Sequence, residues 1–182
     1  VGALYEPLFY MNNLKDDPTK LEPLMGKSYT ISDDAKTIDV TIRDGEKWSD
    51  GKPYTAEDVA YTFNLLNSNK ALNTSGFAGS AKVLSDTEVR ITLDKPESVN
   101  ALSYLSGTMI VPKHVWEKID DPVTYTNKDA VGSGPFTVKG GNFSPTAYTF
   151  KKNPYYWDEG KPEIDGVLIL RRLTFLLVSW HS

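Results

Sequence analysis

The side chains that could do chemistry in this chain are few, and their spacing argues against a reaction. Only two histidines occur, His114 and His181, and neither has a second histidine at the helical spacing a metal motif requires. Ser133 sits between Gly132 and Gly134. A nucleophile elbow needs Gly-x-Ser-x-Gly at a strand-to-helix turn. Here the order is Gly-Ser-Gly-Pro, followed by a strand-like run, and the same glycines are too few for a phosphate loop. Asp50, Glu57 and Asp58 fall close together, and glycoside hydrolysis uses two carboxylates at a set separation. Turn formation and helix capping account for all three. The absence of cysteine removes a disulfide scaffold, a thiolate metal site and a cysteine nucleophile. The expectation is a protein with no catalytic residue, no metal and no cofactor. Aromatic residues are the informative group: four Trp, ten Tyr and seven Phe. Such rings stack on sugars or peptide side chains, and they also fill cores. Trp48, Trp116 and Trp157 are read as packing residues.

The elements that hold these residues are legible in the chain. Ile38, Val40 and Ile42 alternate with Asp39, Thr41 and Arg43, which predicts a half-buried strand. Asp44-Gly45 and Asp50-Gly51 are turn pairs, because Gly accepts a positive φ and Asp bonds its own backbone. Thr55-Ala-Glu-Asp58 opens a helix whose inner face carries Val59, Phe63 and Leu66 at helical spacing. Residues 27–31 and 37–43 predict one hairpin and residues 83–93 a second, with Val89, Ile91 and Leu93 on one face. Residues 12–26 and 67–80 read as loops. A short helix capped by Ser98 is expected over 98–105, and a strand end with a Pro-initiated helix over 110–119. Residues 136–139 and 147–152 predict a further pair, and 164–170 a buried strand. No internal repeat appears.

With 182 residues there is room for one domain or one domain and part of another. A hydrophobic content of 40% and a charged content of 24% are those of a water-soluble globular chain. The net charge of -4, with both signs interspersed, offers nothing to nucleic acid or an anionic membrane. No apolar run approaches the length of a membrane span. The chain starts at Val1 without a signal segment, so a trimmed or partial chain is expected.

One stretch adds an identification. The run Arg-Asp-Gly-Glu-Lys-Trp-Ser-Asp-Gly-Lys-Pro-Tyr-Thr-Ala-Glu-Asp-Val-Ala-Tyr-Thr-Phe, residues 43–63, resembles the signature region of the family 5 extracellular solute-binding proteins. These are the oligopeptide- and dipeptide-type receptors of bacterial ABC importers. Leu-Tyr-Glu-Pro-Leu at 4–8, Pro-Lys-His-Val-Trp at 112–116, Gly-Ser-Gly-Pro-Phe at 132–136 and Asn-Pro-Tyr-Tyr-Trp at 153–157 are similar to further segments of that family. The chain departs from it at residues 29–37, where Tyr29 stands for a Trp and Ala35 for a turn Gly, and from about Arg171, where the resemblance ends.

The resemblance implies a mixed α/β (α+β) fold of the class II periplasmic-binding-protein kind, with a small domain, part of lobe I and no second lobe. It divides the chain into the start of the main lobe (1–26), a small domain (27–131), a return to the lobe I sheet (132–170) and an aberrant or truncated tail (171–182). It further implies a non-enzymatic, monomeric receptor. That receptor is periplasmic or lipid-anchored at the cell surface, captures oligopeptides or similar solutes, and delivers them to ABC permease subunits without contact with nucleic acid. A β-oligosaccharide ligand is the second reading, and a secreted hydrolase is the reading from another class. Tyr5, Glu6, Asn73 and Phe77 are the ligand-binding candidates, because relatives bring these segments near the cleft. No tight ligand binding is expected of this chain without a second lobe.

Overall fold

The computed structural model describes residues 2–14, 17, 20–144 and 147–170. Its centre is a four-stranded antiparallel sheet in the order β3-β4-β6-β5, formed by β3 (Gly26–Ile31), β4 (Thr37–Ile42), β5 (Gly79–Ser85) and β6 (Glu88–Leu93). The alternation in β4 and β6 decides its register. Ile38 pairs with Ile91 and Val40 with Val89, so the buried side chains of both strands share one face. Helix α1 (Ala56–Ser68) covers that face with Val59 and Phe63, both fully buried. Each such burial contributes roughly 1.5–3 kcal/mol before entropy is counted. Asn64 on α1 also grips the sheet edge: its amide donates to the Ala81 carbonyl and its oxygen accepts the Ala81 N–H, both at 2.9 Å.

The strand-to-helix connection follows from its turn and cap residues. Gly45 (φ 76°) and Gly51 (φ 87°) take the left-handed conformation that the two Asp-Gly pairs predict. Thr55 is the N-cap of α1, and its N–H donates to the Asp58 carboxylate at 2.9 Å. In the first hairpin Ala35 adopts φ 54°, where a glycine would be unstrained. Ala35→Gly is therefore expected to raise stability by up to about 1 kcal/mol, less what glycine's extra freedom in the unfolded chain takes back. A thermal melt measures this, and a lower melting point for the glycine variant would refute it.

A two-stranded ribbon of β1 (Phe9–Tyr10) and β2 (Glu22–Pro23) precedes the central sheet. Helices α2 (Ser98–Gly107) and α3 (Lys113–Trp116) follow it. A second antiparallel sheet, in the order β7-β8-β9, comprises β7 (Phe136–Phe143), β8 (Ala147–Lys152) and β9 (Gly166–Leu170).

Several sequence expectations are corrected here. Residues 12–26 are not all surface loop, since they carry β2 and bury Leu21 and Met25. Ser98 is the first residue of α2 and its flank is Glu97, whose carboxylate accepts the Tyr104 hydroxyl at 2.6 Å. No strand ends at Ile110, and α3 is a single turn. Strand β7 runs on to Phe143 through a register shift between Thr137 and Asn142, where a loop was expected from residue 140. Strand β9 does not have the burial its apolar composition predicts. Among the described residues it pairs only with β8, and Leu168 and Leu170 are 59% and 70% exposed. The expected tail at 171–182, with His181, lies outside the described residues.

Candidate functional site

The segment before β1 is threaded between residues 132–136 and the small helices. Gly134 donates its N–H to the Leu4 carbonyl at 2.9 Å, and Phe136 to that of Ala3 at 3.0 Å. A Cβ on Gly132 would sit 1.8 Å from the Leu4 carbonyl oxygen, and one on Gly134 2.7 Å from that of Ala3. The glycines around Ser133 thus serve close backbone approach. The Ser133 hydroxyl accepts the Glu6 N–H at 3.3 Å. That is a structural role, and it replaces any resemblance to an activated serine.

Threading this segment in turn places the two candidates Tyr5 and Glu6 in different surroundings. Glu6 is 1% exposed. Its carboxylate accepts the Tyr156 hydroxyl at 2.9 Å and the Trp157 indole N–H at 2.8 Å, while the Arg43 guanidinium lies 4.1 Å above the Trp157 ring. Burial pushes the Glu6 carboxyl above its usual range, and the Trp157 and Tyr156 donors offset part of that. Glu6 is therefore a clasp between the first segment and residues 156–157, with both oxygens engaged. Tyr5 turns the other way. Its hydroxyl accepts the Asn127 amide N–H at 2.9 Å. Burial raises its phenol pKa, and the Asn127 amide offsets part of that. The Trp116 ring stands edge-on to Tyr125 at 5.4 Å.

Asn127, held by Tyr5, lines a cavity of about 630 Å³ together with Leu4, Ala130, Val138, Tyr148 and Phe150. A second cavity, of about 450 Å³, shares residues 128–130 with the first and is bordered by Ser49, Asp50 and Lys139. Asn127 itself holds φ 47°. Its Oδ1 is buried without a partner, as is the Trp116 Nε1.

Asn73 and Phe77 lie elsewhere. The Asn73 amide donates to the Phe77 carbonyl at 2.7 Å and its oxygen accepts the Phe77 N–H at 2.9 Å, so the side chain builds its own loop. Phe77 is 1% exposed and packs edge-on against Phe63 and Tyr104, at 5.0 and 5.4 Å. In this structure it is a core residue. No hydrogen bond or ring contact among the described residues joins either of them to Tyr5 or Glu6.

The residues screened for catalysis have other partners. Asp58 accepts the Trp48 indole N–H at 3.1 Å and the Lys113 backbone N–H at 2.8 Å, in addition to Thr55. His114 pairs with Asp50 at 2.8 Å, and Glu57 with the Lys113 ammonium at 2.8 Å. Among the described residues no group of three or more His, Asp or Glu could hold a metal ion.

Sequence reasoning did not single out Asn127. The available signal was weak: Asn tolerates the left-handed region, so Thr-Asn-Lys at 126–128 could have been read as a positive-φ turn. Trp116 was read as packing only, and its ring does pack on Tyr125, yet its N–H is left over.

Comparison with known proteins places this geometry in a family. The model of the bacterial extracellular solute-binding proteins, family 5 (middle), matches residues 20–170. The peptidoglycan-binding protein YepA of Agrobacterium fabrum is 34% identical over 169 residues, 88% of this chain and 26% of its own length. The crystal structure of the ABC transporter substrate-binding protein CtaP of Listeria monocytogenes superposes with a TM-score of 0.76 at 30% identity, covering 92% of this chain and 34% of that one. A periplasmic oligopeptide-binding protein of Thermotoga maritima, solved with mannohexaose bound, reaches a TM-score of 0.79 at 29% identity, with 95% and 33% covered. The chain thus spans about a quarter to a third of the length of these relatives. Its mixed α/β fold is that of periplasmic-binding-protein-like structures. The chain belongs to the bacterial extracellular solute-binding proteins of family 5.

Proposed function

We propose that the protein is the extracytoplasmic solute-binding component of an ABC importer, and that it captures an oligopeptide or a similar oligomeric solute. The observation that carries the reading is a cavity of about 630 Å³ with largely apolar walls and a few polar side chains, among them Asn127, which Tyr5 holds, on a fold whose relatives bind solutes. Concave, mostly apolar sites with a few placed polar groups are what small-ligand binding needs. The serine, histidine and carboxylates that could have supported a hydrolase are tied to backbone, indole or cationic partners, so the protein acts by binding and release. The ligand is held as two lobes close about a hinge and is then passed to permease subunits in the membrane. The receptor works as a monomer in the periplasm or tethered to the cell surface. Residues 27–131 form its small domain, and residues 1–26 and 132–170 belong to the main lobe.

Of the candidates Tyr5, Glu6, Asn73 and Phe77, Tyr5 is the one placed next to a cavity-lining residue, Asn127, and the other three serve the solute site through the backbone they hold. A neutral oligosaccharide is the second reading of the ligand. It is favoured by the rings of Tyr148 and Phe150 in the cavity wall and by the mannohexaose held by the Thermotoga maritima protein.

Native mass spectrometry of the protein purified from its own cells tests the proposal. A copurified peptide or sugar is expected. Recovery of neither, together with hydrolysis of a peptide or glycoside substrate by the pure protein, would overturn it.

A further inference from the structure

The walls of the 630 Å³ cavity select what can occupy it. Leu4, Val138, Tyr148 and Phe150 line it, and each is only half-buried, so apolar and aromatic surface is left for an occupant to cover. Tyr148 and Phe150 lie two residues apart on β8 and so share one face of the sheet. Ile169 pairs with Tyr148 and Val167 with Phe150, and directly opposed residues point the same way, so β9 extends that apolar face. Leu4 is held by backbone. Its carbonyl accepts the Gly134 N–H at 2.9 Å, and Gly132 approaches so closely that a Cβ there would sit 1.8 Å from the Leu4 oxygen. The wall is thus formed before any solute arrives.

The polar side chains around the cavity have little to give a buried ligand. Asn127 donates its amide to the Tyr5 hydroxyl, and its Oδ1 is closed off. Lys128 and Asp129 are exposed neighbours of opposite sign, so they select no net charge. An ionised side chain lodged between Leu4, Val138 and Phe150 would lose its hydration against aliphatic and aromatic carbon. A sugar ring would bury several hydroxyls there at the same disadvantage. A branched aliphatic or aromatic side chain bears neither cost and gains by leaving water. The volume lies within the roughly 300–1,000 Å³ of small-ligand pockets.

From these observations we infer that the cavity is a subsite for one uncharged, apolar side chain of a bound peptide, branched aliphatic or aromatic. The side chain packs on Leu4, Val138, Tyr148 and Phe150, while the peptide main chain stays outside the apolar walls. This rests on the solute-binding reading and deepens it, because it favours a peptide over a sugar at this place and names the side chain that is selected.

Titration calorimetry on the protein purified from its own cells, freed of copurified ligand, tests the subsite. One arm uses short alanine peptides in which a single residue, placed at each position in turn, is Leu, Phe, Ser or Glu. The other uses neutral β-linked hexose oligosaccharides. At one position of the peptide, Leu or Phe is expected to bind about tenfold more tightly than Ser or Glu. Val138→Thr keeps the shape of the wall and adds a hydroxyl, and it is expected to cut that preference about threefold. The comparison of peptides on the wild-type protein needs no variant at all. Equal affinity across the peptide series, or an undiminished preference in a folded Val138→Thr protein, would overturn the subsite and leave the transport reading standing. Binding of the oligosaccharides but of no peptide would overturn it in favour of the sugar reading. Failure to bind in either arm would bring down both the subsite and the solute-binding reading.

Discussion

Replacing Asp58 by alanine is expected to lower stability by about 4 kcal/mol, the largest effect of any single carboxylate in the chain. Asp58 collects three donors: the Trp48 indole N–H, the Thr55 backbone N–H and the Lys113 backbone N–H. It therefore ties the double turn, the first turn of α1 and the start of α3 to one point. Hydrogen bonds to a charged acceptor contribute roughly 1.5–3 kcal/mol each, and donors left buried without an acceptor add their own cost. At this chain length the expected fall in melting temperature is on the order of 10 °C. Asp58→Asn is nearly isosteric, yet it is expected to recover only part of the loss. Its NH₂ must face one of three groups that can only donate. Thermal and urea unfolding of both variants check this, and an asparagine variant as stable as the wild type would show that the donors are not held as described. Burial pushes the Asp58 carboxyl above its usual range even though these donors oppose it, so the cluster holds its charge against a desolvation cost.

The second large effect concerns Glu6. Glu6→Ala removes the acceptor for the Tyr156 hydroxyl and the Trp157 indole N–H and leaves a void in a closed site, so a loss of about 3 kcal/mol is expected. Glu6→Gln behaves differently. Its oxygen can still accept from Trp157, and its NH₂ can donate to the Tyr156 oxygen, so a loss of only about 1 kcal/mol is expected at neutral pH.

The pair also predicts a pH dependence. The Glu6 carboxyl has a folded pKa above its ordinary 4.5, with burial the main cause. A carboxyl raised on folding binds its proton more tightly in the native state. Its contribution is fully present below the unfolded pKa and is lost as pH rises through the folded one. Wild type should therefore gain stability relative to Glu6→Gln as pH is lowered from 7 toward about 4.5. Exposed carboxylates with lowered pKa, such as Asp39 beside Arg90, act in the opposite sense but are common to both proteins and cancel. Denaturant unfolding across that pH range measures the difference. A constant gap between the two proteins would contradict the buried clasp.

Both clusters bear on function through position. The Asp58 cluster anchors α3, and Trp116 is the last residue of α3. The Glu6 clasp fixes the backbone whose preceding side chain, Tyr5, holds Asn127. On the proposed solute-binding role, a variant that loosens either one is expected to weaken binding without touching the solute.

Much of this was legible in local sequence. The period of two in β4 and β6 names the buried face of each strand, because alternate side chains must point to opposite sides of a pleated backbone. The Asp-Gly pairs, the Thr55 cap and the helical spacing of Val59 and Phe63 are set within a few residues of chain, and the structure bears them out. The same long ungapped run was enough to recognise the family.

What the tertiary structure decided is how residues far apart in sequence meet. Glu6 becomes a clasp only because residues 150 and 151 positions away arrive beside it, and Tyr5 meets Asn127 across 122 positions. Neither meeting leaves a local trace, since each side chain alone is compatible with surface, core or site. The apolar run in β9 shows the converse limit. Composition makes the strand apolar, but whether its faces are buried depends on what packs over the sheet, and among the described residues nothing covers Leu168 or Leu170. Patterning along a strand or helix records which face turns inward, whereas the identity of the group that face meets is a property of the assembled fold.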